Sequence, residues 1–324
     1  MAAYRYTFKK FINDWMLIIG MVAGASAYLI YHATPALYPA GPFLLSFCKH
    51  IQPVLLFLML FLNFCKVEPR QMRYHSWMGW LLLIQGGFFV ALALLLAWFP
   101  QIGLKMGIEA AMLCLICPTA TACAVVTGKL GGNMAGAITY TVLINLLVSV
   151  LVPLFVPLIH PMDGMGFGKA FLLILGKVFP LLILPCLSAW AVRWLLPKFH
   201  AWLLKYSSLS FEIWAVSLAL AILMSTRAIV HNEGSPWILF EIAVASLLSC
   251  IFQFWAGKKI GAHYRCSISA GQSLGQKNTV FGIWMGYTFL EPVVSVAGGF
   301  YSIWHNVFNT WQLYRKRIGK MQGE

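Results

Sequence analysis

The sequence is poor in charge, and poorest in negative charge: Asp and Glu number 9 in 324 residues, and all charged residues together make up 10%. An ordinary soluble domain carries about a quarter charged residues. A surface wetted all round by water cannot be built from so few, so a soluble enzyme is excluded. No HExxH, GxxxxGK[ST] or GxSxG motif occurs, no catalytic Cys/His arrangement is evident, and no loop holds a carboxylate pair suited to hydrolysis. No enzymatic activity, metal or cofactor is therefore expected. The eight cysteines fall within or beside apolar runs, with no CxxC pair in a polar loop, and read as small buried hydrophobes rather than disulfide or metal ligands.

What is abundant is apolar: 60% of the residues are hydrophobic and 15% aromatic. A membrane-crossing helix needs about 20 apolar residues, and apolar windows fall near 15–31, 43–65, 77–99, 106–128, 134–158, 170–196, 206–228, 237–257, 266–290 and 292–314. The fold expected is all-α, a polytopic membrane protein of ten transmembrane helices with the lipid bilayer as its surroundings. The Arg5, Lys9 and Lys10 cluster ahead of the first window resembles a signal peptide, but the run continues to Tyr31 without a convincing cleavage site, so it is read as a span.

The net charge of +14 is a matter of topology rather than of nucleic acid, for which no binding is expected. Lys105, Lys169 and Arg227 fall on one side of the membrane, and Lys49, Lys177 and Lys277 fall inside spans. The other cations, from Arg5, Lys9 and Lys10 through Lys66 and Lys129 to Lys316 and Arg317, fall at the termini and in the loops after even-numbered spans. By the positive-inside rule both termini are cytoplasmic, in a plasma or inner membrane.

Two spans are poor helices. The fourth is interrupted from Pro118 to Cys123, with Thr119 and Thr121 as hydroxyl groups, and the ninth carries a polar run from Ser267 to Thr279. Each is fourth in a block of five, and an odd number of spans per block makes the two blocks, residues 1–158 and 159–324, enter the membrane from opposite sides. That is an inverted repeat with two crossed discontinuous helices, and unwound backbone at mid-depth must line an ion or substrate site. Gln272, Ser273, Gln276, Lys277, Asn278 and Thr279 form the densest polar cluster of any apolar window. Lys277, about 11 residues past Cys266 and hence roughly 16 Å deep, is a substrate counter-ion, a proton carrier or a structural charge that neutralises helix C-terminal dipoles. Gln85, Glu212, Gln253 and His305-Asn306 are further polar groups within spans, each either interhelical glue or pathway. Glu109, Glu241 and Glu291 are expected at interfacial helix ends.

At these residues the sequence resembles the bile acid/sodium symporter family. The matching stretches are Cys117-Pro118-Thr119-Ala120-Thr121-Ala122-Cys123-Ala124-Val125-Val126-Thr127, Gly132-Asn133, Gly275-Gln276-Lys277-Asn278-Thr279 and Trp304-His305-Asn306, with less specific support from Pro53 through Phe61 and from Gln85. The resemblance implies a panel of helices 1, 2, 6 and 7 and a core of helices 3–5 and 8–10. It further implies an elevator or rocking carrier of organic anions, coupled to sodium in the family's best-known members. On that pattern Thr119, Thr121, Gln276, Lys277, Asn278, His305 and Asn306 line the substrate path, and Gln85, Cys123, Thr141, Ser273 and Lys277 are the ion-coupling positions.

The chain departs from the family at those positions. Where sodium-binding members look to use a Ser-Asn pair, this chain aligns Cys123 and Ala124. Where they look to use a Glu followed four residues later by Gln, it aligns Ser273 and Lys277. An ammonium repels sodium in a low-dielectric site, so Lys277 is expected to fill the volume a cation fills elsewhere, and transport of a small organic anion is expected to depend weakly or not at all on sodium. A proton-coupled or uncoupled carrier using Lys277, and a membrane receptor that binds without transport, are the alternatives.

Overall fold

The computed structural model describes residues 8–162, 164–206, 209–232, 234–320 and 323–324. Arg5 lies outside the described residues. Thirteen α-helices account for most of the described chain: α1 (Phe8–Ala33), α2 (Gly41–Cys65), α3 (Ser76–Trp98), α4 (Lys105–Ile116), α5 (Cys123–Leu130), α6 (Met134–Ile159), α7 (Phe167–Leu195), α8 (Pro197–Lys205), α9 (Leu209–Val230), α10 (Trp237–His263), α11 (Ser267–Gly275), α12 (Thr279–Phe289) and α13 (Val296–Arg317). No strand occurs among the described residues.

Seven of these elements are long and apolar enough to cross a membrane: α1, α2 with the 3-10 turn before it, α3, α6, α7, α9 and α10. Their outward-facing side chains, such as Leu83, Leu172, Val216 and Leu248, stay exposed, as lipid-facing apolar groups do. The chain is an integral membrane protein of polytopic helical form. Helix α13 has the length of a crossing, but His305, Asn306, Asn309 and Gln312 on one flank make it too polar to count by hydropathy. The two expected interruptions are present as the gaps between α4 and α5 and between α11 and α12.

Local chemistry explains the breaks and turns. Pro118 has no N–H and biases Cys117 away from helical ψ, and Cys117 sits at φ −45°, ψ 128° as α4 ends. Other prolines, Pro53 in α2, Pro153 and Pro157 in α6, and Pro180 and Pro185 in α7, stay inside continuous helices. The Gly131-Gly132-Asn133 run is a turn with three separate requirements. Gly131 takes φ 91° to end α5. A Cβ on Gly132 would lie 2.9 Å from Ser269 Oγ and from the Thr127 methyl. Asn133 caps α6 by accepting from Gly136 N.

The helices pack as one connected bundle. Helix α9 lies against α1 and α2, α2 against α7, and α7 against α6, while α10 packs on α4, α11 and α13, α3 on α4 and α6, and α9 also touches α12 and α13. Close approach depends on small residues, as expected where no hydrophobic force drives helices together in lipid. A Cβ on Gly24 of α1 would come within 2.2 Å of the Ala219 carbonyl of α9. On α10, Gly257 and Gly261 meet the backbone of Ala270 and Cys266 in the same way. Helix α8, which no apolar window announced, ties down the α2–α3 connection: His200 Nε2 lies 2.9 Å from the Cys65 carbonyl.

Glu109 lies near a helix end, the start of α4, and is fully buried within the protein, with His160 Nε2 at 3.1 Å and Lys105 Nζ at 3.8 Å. Burial is tolerated because two basic groups accompany the carboxylate near the start of α4. Glu212, expected at depth, is exposed in the first turn of α9, where a carboxylate suits the helix dipole. Lys49 and Lys177 sit within the long helices α2 and α7, as expected, with exposed side chains; Lys177 lies over the Phe289 ring at 5.7 Å.

Candidate functional site

The unwound segments after α4 and α11 meet. Thr119 and Lys277 form an isolated antiparallel bridge; Ala120 N donates to the Gln276 carbonyl at 2.8 Å, and Asn278 N donates to the Pro118 carbonyl at 2.8 Å. Each segment thereby satisfies backbone groups that its own helix has released and that lipid could not satisfy.

The side chains of the bridge are reciprocal as well. Thr119 Oγ1 donates to the Ser273 carbonyl at 2.7 Å, and Lys277 Nζ donates to the Leu115 carbonyl at 3.4 Å. Each accepting carbonyl lies in the last turn of the half-helix that leads into the other segment, one of the orphan acceptors a helix end leaves. Both side chains are 1% exposed. No carboxylate lies within 4.0 Å of Lys277 among the described residues, and its neighbours are the thiols of Cys114, Cys117, Cys123 and Cys250.

A Gln–Tyr pair braces each half-helix end. Gln85 Nε2 of α3 donates to the Cys117 carbonyl at 2.9 Å, and Tyr140 of α6 donates to Gln85 Oε1 at 3.0 Å. On the other side Tyr301 of α13 donates to the Gly275 carbonyl at 2.8 Å and accepts from Gln253 Nε2 of α10 at 3.0 Å. Gln85 is therefore occupied in holding the break.

A cavity of about 470 Å³ opens beside the crossing. Its walls come from helices distant in sequence: Asn63 and Lys66 at the end of α2 and Ser210, Phe211 and Trp214 at the start of α9 face Thr121, Val125 and Lys129, the Gln276–Thr279 run, and Ser302, His305, Asn306 and Asn309 of α13. Several lining polar groups are buried without a hydrogen-bond partner: Gln276 Oε1, Asn278 Nδ2, Ser302 Oγ, His305 Nδ1 and Asn309 Nδ2. Such groups cost about 1–3 kcal/mol each when unmet, which marks a place built for a ligand or water. Lys66, Lys129 and Lys277 line it, and no Asp or Glu does among the described residues.

The substrate candidates Thr121, Gln276, Lys277, Asn278, His305 and Asn306 thus all lie on this cavity, although the Lys277 ammonium turns away toward Leu115. Asn278 Oδ1 is engaged as the cap of α12, accepting from Phe281 N at 3.2 Å, and Asn306 Nδ2 donates back to Ser302 at 2.7 Å. Thr119 lies behind the lining, at the bridge. Of the ion-coupling candidates, Cys123 and Ser273 are side-chain neighbours, with Cys123 Sγ 3.8 Å from Thr127 Oγ1. Thr141 donates to Ala137 in its own helix and makes no hydrogen bond to the crossing.

Sequence reasoning missed Asn63, Lys66, Lys129, Trp214, Ser302 and Asn309 as cavity residues. A signal existed for two of them: Ser302, His305, Asn306, Asn309 and Gln312 recur at intervals of three and four, a polar stripe on one face of α13. Lys66 and Lys129 looked like loop charges, and only the placement of α2, α5 and α9 around one cavity brings them to one opening. Searches with protein-family models and against curated protein sequences find no match to the chain.

Proposed function

We propose that the chain is a secondary transporter that moves a small organic anion by alternating access, as a divergent relative of the bile acid/sodium symporters. The observation that carries this reading is the cavity beside the paired breaks: cationic, free of lining carboxylates, and edged by buried polar groups without partners. An anion entering it meets hydrogen-bond donors on Asn278 and Asn309 and the positive potential of Lys66 and Lys129, while Phe211, Trp214 and Leu313 offer apolar surface to an organic body.

The architecture we assign is ten crossings, counting α4 with α5 and α11 with α12 as one each, in two inverted five-helix repeats over residues 1–158 and 159–324. What supports it is the matched reciprocity of the breaks and the two Gln–Tyr braces, each joining the third and fifth crossings of its block. Helices α1, α2, α7 and α9 form the panel on this reading, and the cavity lies between panel and core. With the termini cytoplasmic, the opening at Lys66 and Lys129 faces the cytoplasm.

Transport runs without sodium coupling on this reading. A dehydrated sodium ion needs several oxygens and usually a carboxylate, and the aligned positions offer Cys123, Ala124, Ser273 and the opposing charge of Lys277. The test is uptake by proteoliposomes of organic anions first selected by the thermal stabilisation they confer on the purified protein. Uptake of a stabilising anion at equal rates under sodium and choline gradients is expected. Binding without flux would replace the carrier with a receptor, and many-fold sodium stimulation would overturn the coupling assignment.

A further inference from the structure

The C-terminal ends of α10 and α13 lie together and carry a ladder of cations and rings. Lys258 Nζ sits 5.1 Å over the Phe308 ring, Phe308 lies 5.5 Å from the Trp311 ring, and the Arg315 guanidinium sits 5.1 Å over Trp311. On α10 itself, Lys259 Nζ lies 4.9 Å over Trp255. A ring holds a cation in place without cancelling its charge. No carboxylate cancels it either, since none lies within 4.0 Å of Lys258, Lys259 or Arg315 among the described residues. Lys258 and Arg315 are near enough for their like charges to repel. The Lys258 stem is fixed too, because its Cγ occupies the space that a Cβ on Gly271 of α11 would need, and Arg315 Nη2 donates to the Lys320 carbonyl at 3.2 Å. Topology accounts for an excess of Lys and Arg at one membrane face. It asks for no rings beneath the charges and no two cations facing each other across a helix seam.

Apolar surface leads up to these charges. Leu248, Ile251 and Trp255 recur at intervals of three and four along α10, Val307, Trp311 and Tyr314 do the same on α13, and all six are exposed. On helices in a bilayer such stripes face acyl chains, and cations at their ends stand at the level of the headgroups.

We propose that the seam between the C-terminal ends of α10 and α13 binds an anionic phospholipid, with its phosphate beside Lys258 and Arg315 and its acyl chains along the two exposed stripes. The bound lipid relieves the repulsion between the two cations and ties α10 to α13 and, through the Lys258 stem, to α11. The inference goes beyond the carrier reading and does not depend on it.

The experiment follows thermal unfolding of the full-length chain in a neutral detergent with phosphatidylglycerol, phosphatidylcholine or inorganic phosphate added over a range of concentrations. Phosphatidylglycerol is expected to raise the unfolding temperature saturably by several degrees, and phosphatidylcholine and inorganic phosphate are not. Lys258→Gln combined with Arg315→Gln is expected to lose most of that rise, whereas Lys205→Gln, at an exposed cation of α8, keeps it. Stabilisation by phosphatidylcholine or by inorganic phosphate equal to that by phosphatidylglycerol, or a double variant stabilised as fully as the wild type, overturns the proposal. Should the double variant fail to accumulate, the two single variants are compared with the wild type by native mass spectrometry. Less phosphatidylglycerol retained by each is then the expected result, and equal retention in both overturns the site.

Discussion

Thr119 and Lys277 stand opposite each other across the bridge, and each donates to the carbonyl four residues before its partner: Thr119 to Ser273, Lys277 to Leu115. A hydroxyl and a lysine amine thus do one geometric task at equivalent places, the first across 2.7 Å and the second across 3.4 Å.

The braces behind the bridge should be unequal in strength. Tyr301 bonds the α11 end directly, whereas Tyr140 acts through Gln85. Tyr301→Phe leaves the Gly275 carbonyl unmet and is expected to cost about 1–3 kcal/mol, more than Tyr140→Phe. Denaturant unfolding in detergent measures both. A double-mutant cycle of Tyr301→Phe with Gln253→Leu should be strongly non-additive, because each removes the other's partner.

Contact between α1 and α9 rests on the missing side chain at Gly24. Gly24→Leu must push the Ala219 backbone aside and is expected to lose about 3 kcal/mol or more, at the upper end of overpacking effects. Gly176→Ala in α7 meets open space and should stay within about 0.5 kcal/mol of the wild type. Equal melting temperatures for the two variants would contradict the packing.

Access to the cavity can be read with thiol reagents. Val125 is 52% exposed and lines the opening, whereas Cys117 and Cys123 are buried at the crossing. Val125→Cys should react with a charged, membrane-impermeant methanethiosulfonate from the side that bears Lys66 and Lys129, while the native thiols at the crossing stay unmodified in the same preparation. Labelling in inside-out but not right-side-out vesicles would fix that side as cytoplasmic; the reverse pattern would invert the topology.

Lys66 and Lys129 face one opening from opposite walls. If they attract the anion, Lys66→Gln and Lys129→Gln should each raise the KM of uptake, the pair by about tenfold at low ionic strength, with little change in maximal rate. The effect should shrink as salt is raised toward 1 M, where the screening length falls to about 3 Å. A KM that ignores both variants would remove the vestibule charges from the transport path.

Apolar windows near 43–65, 77–99 and 134–158 became α2, α3 and α6 with ends within about two residues, because run length and bounding turn residues are local properties. The breaks were legible for the same reason: Pro118 and the Gln276–Asn278 cluster are incompatible with an unbroken helix in lipid wherever the rest of the chain goes. The direction of the Lys277 ammonium was not legible. Counter-ion, proton carrier and dipole-neutralising charge are all open from its place in the sequence, and the carbonyl its Nζ reaches belongs to Leu115, a residue 162 positions away. The same holds for Glu109, whose burial depends on His160 at the far end of α6, and for the cavity wall that Lys66 and Lys129 share. The sequence by itself determined the apolar surroundings, the long apolar helices and the two places where helices stop, since these follow from hydropathy and backbone chemistry within a few turns. Only the tertiary structure decided what the stopped ends face, because a buried polar group takes its partner from whichever element packing brings within about 3 Å.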